Sequence, residues 1–128
     1  MAWTQSMWFK INAFPASSGT TAVLSFFGNK SSLSGHIMSY KNNEFWQDWY
    51  GNGVKANYTL EVGKWYHVVS VYHGNTNTDA NVRSSIYING VKQTLTWYSQ
   101  TSSQMTLPTS TSYAVSYTHL TLPTTVIV

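Results

Sequence analysis

Aromatic and polar side chains alternate along a short stretch near the middle of the chain, residues 45–52. In an extended strand successive side chains point to opposite faces, so the rings of Trp46 and Tyr50 share a face with the carboxyl group of Asp48. Asn52 follows in a glycine-flanked turn. Sugars present apolar C–H faces ringed by hydroxyl groups, and aromatic rings beside a carboxylate and an amide suit such a ligand. The stretch therefore predicts a saccharide-binding site formed by these four side chains, with the Trp46 ring exposed.

A second pair of rings, Trp97 and Tyr98, lies at the end of a later predicted strand and is an alternative platform. Packing in the core is the competing interpretation for all of these aromatic residues. The alternation that turns Trp46 outward turns Phe45 and Trp49 inward, so at least half of the rings in the first stretch must pack inside. Both interpretations stay open from the sequence.

Only four acidic residues are present in the chain, which limits acid–base chemistry. Glu44 and Asp48 share a strand and a face, and four residues at ~3.3 Å each separate them by ~13 Å. Glycosidases need their two carboxyl groups ~5.5 Å apart for retention or ~6.5–9.5 Å apart for inversion. The sequence also lacks a nucleophile elbow and a phosphate-binding glycine loop. We therefore expect no enzymatic activity.

Oxygen-bearing side chains fill the polar segment from Asn75 to Asp79, as they do in calcium-binding loops. An EF-hand requires glycine at the sixth position and glutamate at the twelfth, where this chain has Ala80 and Ile86. A low-affinity calcium site at Asp79 stays an alternative to a plain solvated loop, and no other cofactor is expected. The four histidines show no metal-ligand spacing.

The strand that organises these candidates is predicted at residues 65–73, which are rich in β-branched and aromatic side chains. It is apolar on both faces, a pattern typical of a strand in the middle of a sheet that is covered on both sides. We expect Trp65 to be among the most buried residues, filling the space between two sheets.

Further strands alternate with turn residues along the chain, and no stretch has the 3.6-residue periodicity of a helix. The dipeptide Asn89-Gly90 predicts a type I′ hairpin turn that pairs Ile88 with Val91. This succession predicts an all-β antiparallel sandwich of the jelly-roll type. The other predicted strands are residues 3–11, 22–27, 36–40, 45–50, 54–60, 84–88 and 91–97.

Composition excludes several classes of partner. Charged residues make up 9% of the chain, against about 25% in a typical soluble domain. The net charge of +3 comes from seven scattered cations, so we expect no nucleic-acid partner. No apolar run approaches the ~20 residues that cross a bilayer, so we expect no membrane insertion. The first residues lack the basic and apolar regions of a signal peptide.

Two motifs carry a family resemblance: GKWYHVV at residues 63–69 and, about twenty residues later, YINGV at residues 87–91. With them the chain resembles the laminin-G-like, concanavalin A-like lectin and glucanase superfamily over residues 2–96. The resemblance implies a non-catalytic, lectin-like recognition module whose partner is a glycan or glycoconjugate. A structural or adhesion module that contacts protein is the alternative, and a glycosidase-fold remnant is the third interpretation.

The same resemblance implies a location outside the cell, or at a cell or virion surface, as part of a larger protein. Family members open with further strands and close near an acidic motif, and the sequence has neither. We therefore expect a sandwich over residues 1–117 that is truncated at both ends. Residues 118–128 are expected to be a non-native or disordered tail.

Overall fold

The computed structural model describes residues 2–15, 20–28, 35–49, 53–75, 77–98 and 113–115. These residues form ten strands and one short helix. The elements are β1 (Trp3–Lys10), β2 (Thr21–Gly28), β3 (Gly35–Lys41), β4 (Glu44–Asp48), β5 (Gly53–Ala56), β6 (Trp65–Tyr72), α1 (Ala80–Arg83), β7 (Ser84–Ile88), β8 (Val91–Lys92), β9 (Leu95–Trp97) and β10 (Tyr113–Val115).

The strands form two antiparallel sheets that pack face to face. One sheet has four strands in the order β1-β6-β7-β8, and the other has six in the order β10-β2-β3-β4-β5-β9. Every described pairing is antiparallel. The predicted all-β sandwich is therefore confirmed.

The four-stranded sheet is built on β6, which pairs with β1 on one side and β7 on the other. The hairpin from β7 to β8 turns at Asn89 and Gly90, whose φ angles are 51° and 80°. Ile88 pairs with Val91 across this turn. Positive φ at both central residues is the requirement of a type I′ turn, so that prediction is confirmed.

Between the sheets lies a core of large apolar side chains. Trp49, Phe45, Met38, Tyr66 and Val68 are each at most 1% exposed. The remaining buried members of the cluster are Phe9, Ile11, Val54, Ala56, Leu60, Tyr72, Ala80, Ile86, Ile88 and Leu95. Apolar burial on this scale, at about 25 cal/mol per Å², is the main stabilising term of the fold.

The expected burial of Trp65 is wrong: its side chain is 37% exposed. β6 turns Tyr66, Val68 and Tyr72 into the core, and strand alternation then sends Trp65 to the outer face of the sheet. The prediction that this strand is central in its sheet is confirmed, whereas the expectation that both of its faces are covered is wrong. Because both faces of β6 are apolar, the sequence did not distinguish the face that meets the second sheet from the face that meets solvent.

The predicted strand over residues 91–97 is two strands in different sheets. β8 pairs with β7 in the four-stranded sheet, whereas β9 pairs with β5 in the six-stranded sheet. The chain crosses between the sheets at Thr94, whose carbonyl accepts a hydrogen bond from the Asn57 N–H at 2.9 Å. This crossover places the residues after β9 on the six-stranded sheet.

Two further elements were not predicted. The helix α1 is one turn long, which is too short to produce a periodic pattern. The strand β10 pairs with the C-terminal end of β2. Residues 118–128 lie outside the described part of the chain, so their character and the division at residue 117 stay predictions.

Candidate functional site

The outer face of the six-stranded sheet brings together side chains from β4, β5 and the end of β9. Trp46 pairs with Lys55, and Lys55 pairs with Thr96, which forms one row of outward side chains. In the next row Asp48 pairs with Gly53. The Tyr98 N–H donates to the Gly53 carbonyl at 3.2 Å and continues that row past the end of β9.

Tyr98 is fixed at both its ring and its hydroxyl group. Its ring stacks on Trp46 with the centroids 4.2 Å apart and the planes 28° from parallel. Its hydroxyl donates a hydrogen bond of 2.7 Å to Oδ2 of Asp48. One ring from each of the two platforms that the sequence offered as alternatives, Trp46 and Tyr98, thus meets in one cluster. We call it the Tyr98 cluster: Trp46, Asp48 and Tyr98.

The ring of Trp46 is covered rather than open. It is 8% exposed, with Nζ of Lys41 4.8 Å from the ring centroid. Its indole N–H donates to Oε2 of Glu44 at 3.3 Å. The prediction that Trp46 points away from the core is confirmed, because Phe45 on the opposite face is fully buried. The prediction that its ring is exposed is wrong, because side chains on neighbouring strands pack over it.

Gly53 makes room for this arrangement. A Cβ atom at this position would lie 2.9 Å from Cε1 of Tyr98 and 2.8 Å from Cα of Asp48, and would also collide with the Gln47 carbonyl oxygen. The close approach of the Tyr98 ring to β5 therefore requires glycine here. Gly53 thus ties the backbone at the start of β5 to the position of the Tyr98 ring.

Charged groups flank the Tyr98 cluster. Nζ of Lys55 lies 3.0 Å from Oε1 and 3.2 Å from Oε2 of Glu44. Both side chains are about one-third exposed, so hydroxyl groups of a ligand can reach them. The Tyr98 cluster and its flanking residues thus offer an aromatic ring, a cationic hydrogen-bond donor and an anionic acceptor.

The four aspartate and glutamate side chains of the sequence all lie among the described residues and have partners there. Glu44 is paired with Lys55, and Asp48 accepts from the Tyr98 hydroxyl. Glu61 forms an ion pair with Lys64, and Asp79 accepts from the backbone of α1. These contacts give each carboxylate a structural role.

The remaining predicted site residues lie elsewhere. Trp97 pairs with the fully buried Val54 and packs against the core, and its indole N–H donates to the Thr78 carbonyl at 3.0 Å. It therefore faces away from the Tyr98 cluster. Tyr50 and Asn52 lie outside the described residues.

Asp79, the calcium candidate, is the N-cap of α1. Its Oδ1 accepts from the Asn81 N–H at 2.9 Å. Oδ1 of Asn75 accepts from the Asn77 N–H at 3.0 Å, and Oδ1 of Asn77 accepts from the Asp79 N–H at 2.8 Å. The oxygens that would bind a cation thus stabilise successive turns. The described residues contain no group of three His, Asp or Glu side chains that could hold a metal ion.

Sequence reasoning missed Lys41, Glu44 and Lys55 as neighbours of the aromatic cluster. The available signal was the hairpin of β3 and β4, whose tight turn at Asn42-Asn43 sets Lys41 opposite Glu44. The approach of Tyr98 had no local signal, because the contact with Asp48 spans 50 residues of sequence.

The chain belongs to the concanavalin A-like lectin/glucanases superfamily, whose family model matches residues 1–118. Together with the sandwich fold, this membership places it among modules that bind carbohydrate or protein. Searches of curated proteins and of solved structures gave no significant match. Within the described residues, no helix has the length and apolar character to span a membrane.

Proposed function

We propose that the protein is a non-catalytic glycan-binding module with its site at the Tyr98 cluster. The observation that carries this proposal is the double restraint on Tyr98, whose ring stacks on Trp46 while its hydroxyl bonds to Asp48. Tyr98 is half-buried, so part of this residue remains accessible to a ligand. We place such a module outside the cell or at a cell or virion surface.

Restraint of the ring before binding supports affinity for a small, polar ligand. A free tyrosine side chain would lose about 0.5–1.5 kcal/mol of rotamer entropy on binding. Here that loss has already occurred on folding, because Trp46 and Asp48 hold the ring. Lys55 and Glu44 then supply a donor and an acceptor for sugar hydroxyls beside the stacked ring.

The use of each carboxylate supports binding without hydrolysis. Glu44 and Asp48 are the acids nearest the proposed site, and their partners are Lys55 and Tyr98. A glycosidase needs two carboxyl groups at a defined spacing that act on the glycosidic bond, whereas these two carboxyl groups are engaged with a lysine and a tyrosine of the fold. We include Tyr50 and Asn52 in the proposed site on the strength of their sequence position, and we assign no resident metal ion.

The test compares two substitutions of Tyr98 on a broad glycan array. Tyr98→Ala removes the stacking ring and is expected to reduce binding to background. Tyr98→Phe keeps the stack on Trp46 but loses the bond to Asp48, and we expect up to about tenfold weaker binding, since a less restrained ring loses about 0.5–1.5 kcal/mol of rotamer entropy on binding. Tyr58→Phe is the matched control, because it removes a hydroxyl from another half-buried tyrosine. It should bind as the wild type does.

Two results would overturn the proposal. One is a folded wild-type protein that binds no glycan on the array. The other is a folded Tyr98→Ala variant that binds as tightly as the wild type. In the second case the protein would bind glycan, but at another surface.

A second candidate function is contact with protein through β1. This strand has eight residues and lies at the edge of the four-stranded sheet. An edge strand presents backbone N–H and C=O groups that can pair with a strand of another chain. Sedimentation velocity of the wild type and of a Ser6→Pro variant tests it, because proline removes an N–H from the edge. Equal monomer fractions at all concentrations would exclude self-association through this strand.

A further inference from the structure

The outer face of the four-stranded sheet carries the most exposed aromatic side chains among the described residues. Trp8 on β1 is 55% exposed and Trp65 on β6 is 37% exposed. Trp8 pairs with His67, and the next outward pair is Lys10 with Trp65. The two indoles are therefore diagonal neighbours on one face, about 7–8 Å apart between Cα atoms. We call this pair and the residues opposite it the Trp8 face: Trp8, Lys10, Trp65 and His67.

The ring of Trp8 has a defined position despite its exposure. Its centroid lies 4.9 Å from that of His67, with the planes 34° apart. Nε2 of His67 is 2.9 Å from Oγ of Ser6, which fixes the imidazole beneath the indole. The backbone N–H of His67 donates to Oδ1 of Asn89 at 2.9 Å and holds the hairpin turn against β6. The Trp8 ring is thus held against His67 on paired strands.

Charge on this sheet has one sign. The sequences of β1, β6, β7 and β8 contain no aspartate or glutamate. Lys10 lies opposite Trp65, Lys92 lies opposite Tyr87, and both lysines are exposed. An anionic ligand would therefore meet cations beside aromatic rings and no repelling carboxylate on these strands.

From this combination we infer that the Trp8 face is a second saccharide-binding surface, specific for an acidic polysaccharide. The apolar faces of successive pyranose rings stack on Trp8 and Trp65, and the carboxylate or sulfate groups pair with Lys10 and Lys92. A polymer suits this surface better than a short glycan, because the rings and lysines extend from β1 to β8, across the four strands of the sheet. The surface lies on the opposite side of the sandwich from the Tyr98 cluster and does not depend on it.

The experiment uses the full chain and three acidic polysaccharides: polygalacturonate, hyaluronan and chondroitin sulfate. Affinity electrophoresis or titration followed by tryptophan fluorescence measures binding. Methyl-esterified polygalacturonate is the matched ligand, because it keeps the sugar rings and loses the charge. We expect binding of at least one acidic polymer that weakens with salt, and much weaker binding of the ester.

Variants then locate the site. Trp8→Ala should weaken binding by about tenfold or more, as expected for an exposed aromatic that dominates an interface. Lys10→Gln should weaken it by about threefold and reduce its salt dependence. Val82→Ala, at an exposed apolar side chain on α1, should bind as the wild type does.

Several outcomes would overturn the inference. They are no binding of any of the three polymers, equal binding of polygalacturonate and its ester, or unchanged binding by a folded Trp8→Ala variant. Loss of binding in Tyr98→Ala but not in Trp8→Ala would assign the polymer to the Tyr98 cluster. A folded Tyr98→Ala variant that binds glycans on the array as the wild type does would contradict the site proposed at the Tyr98 cluster and not the one at the Trp8 face.

Discussion

The tryptophans on the two outer faces of the sandwich differ in their exposure to solvent. Trp46 on the six-stranded sheet is 8% exposed, whereas Trp8 on the four-stranded sheet is 55% exposed. Both residues point away from the core by strand alternation. Trp46 is covered by Tyr98 and Lys41, while Trp8 contacts the smaller His67 ring. Alternation thus decides which side a ring lies on, and cross-strand neighbours decide whether the ring is open.

The position of each strand in its sheet explains the difference. β4 lies between β3 and β5, so Trp46 has neighbours on both sides. Among the described strands β1 lies at the edge of its sheet, so Trp8 has a described neighbouring strand on one side only. A covered ring can support another residue that meets the ligand, whereas an open ring can meet the ligand itself. This contrast separates the two proposed binding surfaces.

The largest expected effect separates the interior from the outer faces. Trp49 is fully buried and contacts the rings of His36 and Tyr72 at 5.9 and 5.6 Å between centroids. Trp49→Ala should therefore lower the free energy of unfolding by roughly 3–5 kcal/mol. Trp65→Ala, on the outer face, should lower it by roughly 1 kcal/mol or less. Chemical denaturation of both variants measures the difference.

Equal losses for the two variants would contradict the assignment of faces to β6. Val62→Ala, at an exposed apolar position beside β6, controls for the loss of exposed apolar surface and should be within about 0.5 kcal/mol of the wild type.

The fold was largely accessible from the sequence because its signals are local. Alternation identified the strands, and Asn89-Gly90 specified its turn through positive φ. The choice of face on β6 was not accessible, because Trp65 and Tyr66 are both large and apolar in a strand whose two faces look alike. The second sheet decides between them, and that contact is not local.

The pH dependence of stability tests the burial of His36 in the core between the two sheets. His36 is fully buried against the rings of Trp3, Trp49 and Tyr72, and burial lowers its pKa from 6.5 to about 4. Between about pH 4 and pH 6.5, His36 is therefore protonated in the unfolded chain and neutral in the folded protein. Stability from this group is fully present above about pH 6.5 and is lost as the pH falls to about 4, by roughly 3 kcal/mol. Denaturation midpoints at pH 7.5 and about pH 4 measure the loss.

His36→Leu removes the titrating group and should flatten this part of the pH dependence. His73→Gln is the control, because His73 is exposed and Nε2 of its ring lies 2.8 Å from Oγ of Ser85. An NMR titration of the wild type gives an independent measurement. A His36 ring that protonates near pH 6.5 in the folded protein would contradict the burial argument.

The third prediction compares the two outward tryptophans directly. Trp46→Ala removes a covered ring that supports Tyr98, so it should cost about 2–3 kcal/mol of stability and also abolish glycan binding at the Tyr98 cluster. Trp8→Ala removes an open ring and should cost about 0.5 kcal/mol or less while it weakens binding of acidic polysaccharide. Thermal unfolding and the two binding assays together test the pair. A Trp46→Ala variant as stable as the wild type would show that the ring is not covered in solution.

The composition of the Tyr98 cluster was only half accessible from the sequence. Trp46 and Asp48 share a strand, and alternation placed them together. Tyr98 joins them because the chain leaves the four-stranded sheet at Thr94 and pairs β9 with β5. No Gly or Pro marks that crossover in the sequence, and residues 91–97 continue a strand-like pattern. Sheet pairing, and not local composition, therefore sets the site.

The smallest expected effect concerns the hairpin turn beneath the Trp8 face. Gly90 has φ of +80° and open space where a Cβ would lie, so Gly90→Val should cost about 1–2 kcal/mol through left-handed backbone strain alone. Asn89 on the same turn accepts from the His67 N–H at 2.9 Å and donates to its carbonyl at 2.8 Å. Strain at Gly90 should therefore speed hydrogen exchange at the His67 amide. Gly63→Val is the matched control, because Gly63 has φ of +82° and equally open space but lies outside this hairpin. Gly63→Val should lower the free energy of unfolding by a similar amount without a selective effect on exchange at the His67 amide. Equal exchange rates of that amide in the two variants would show that the turn does not hold the Trp8 face.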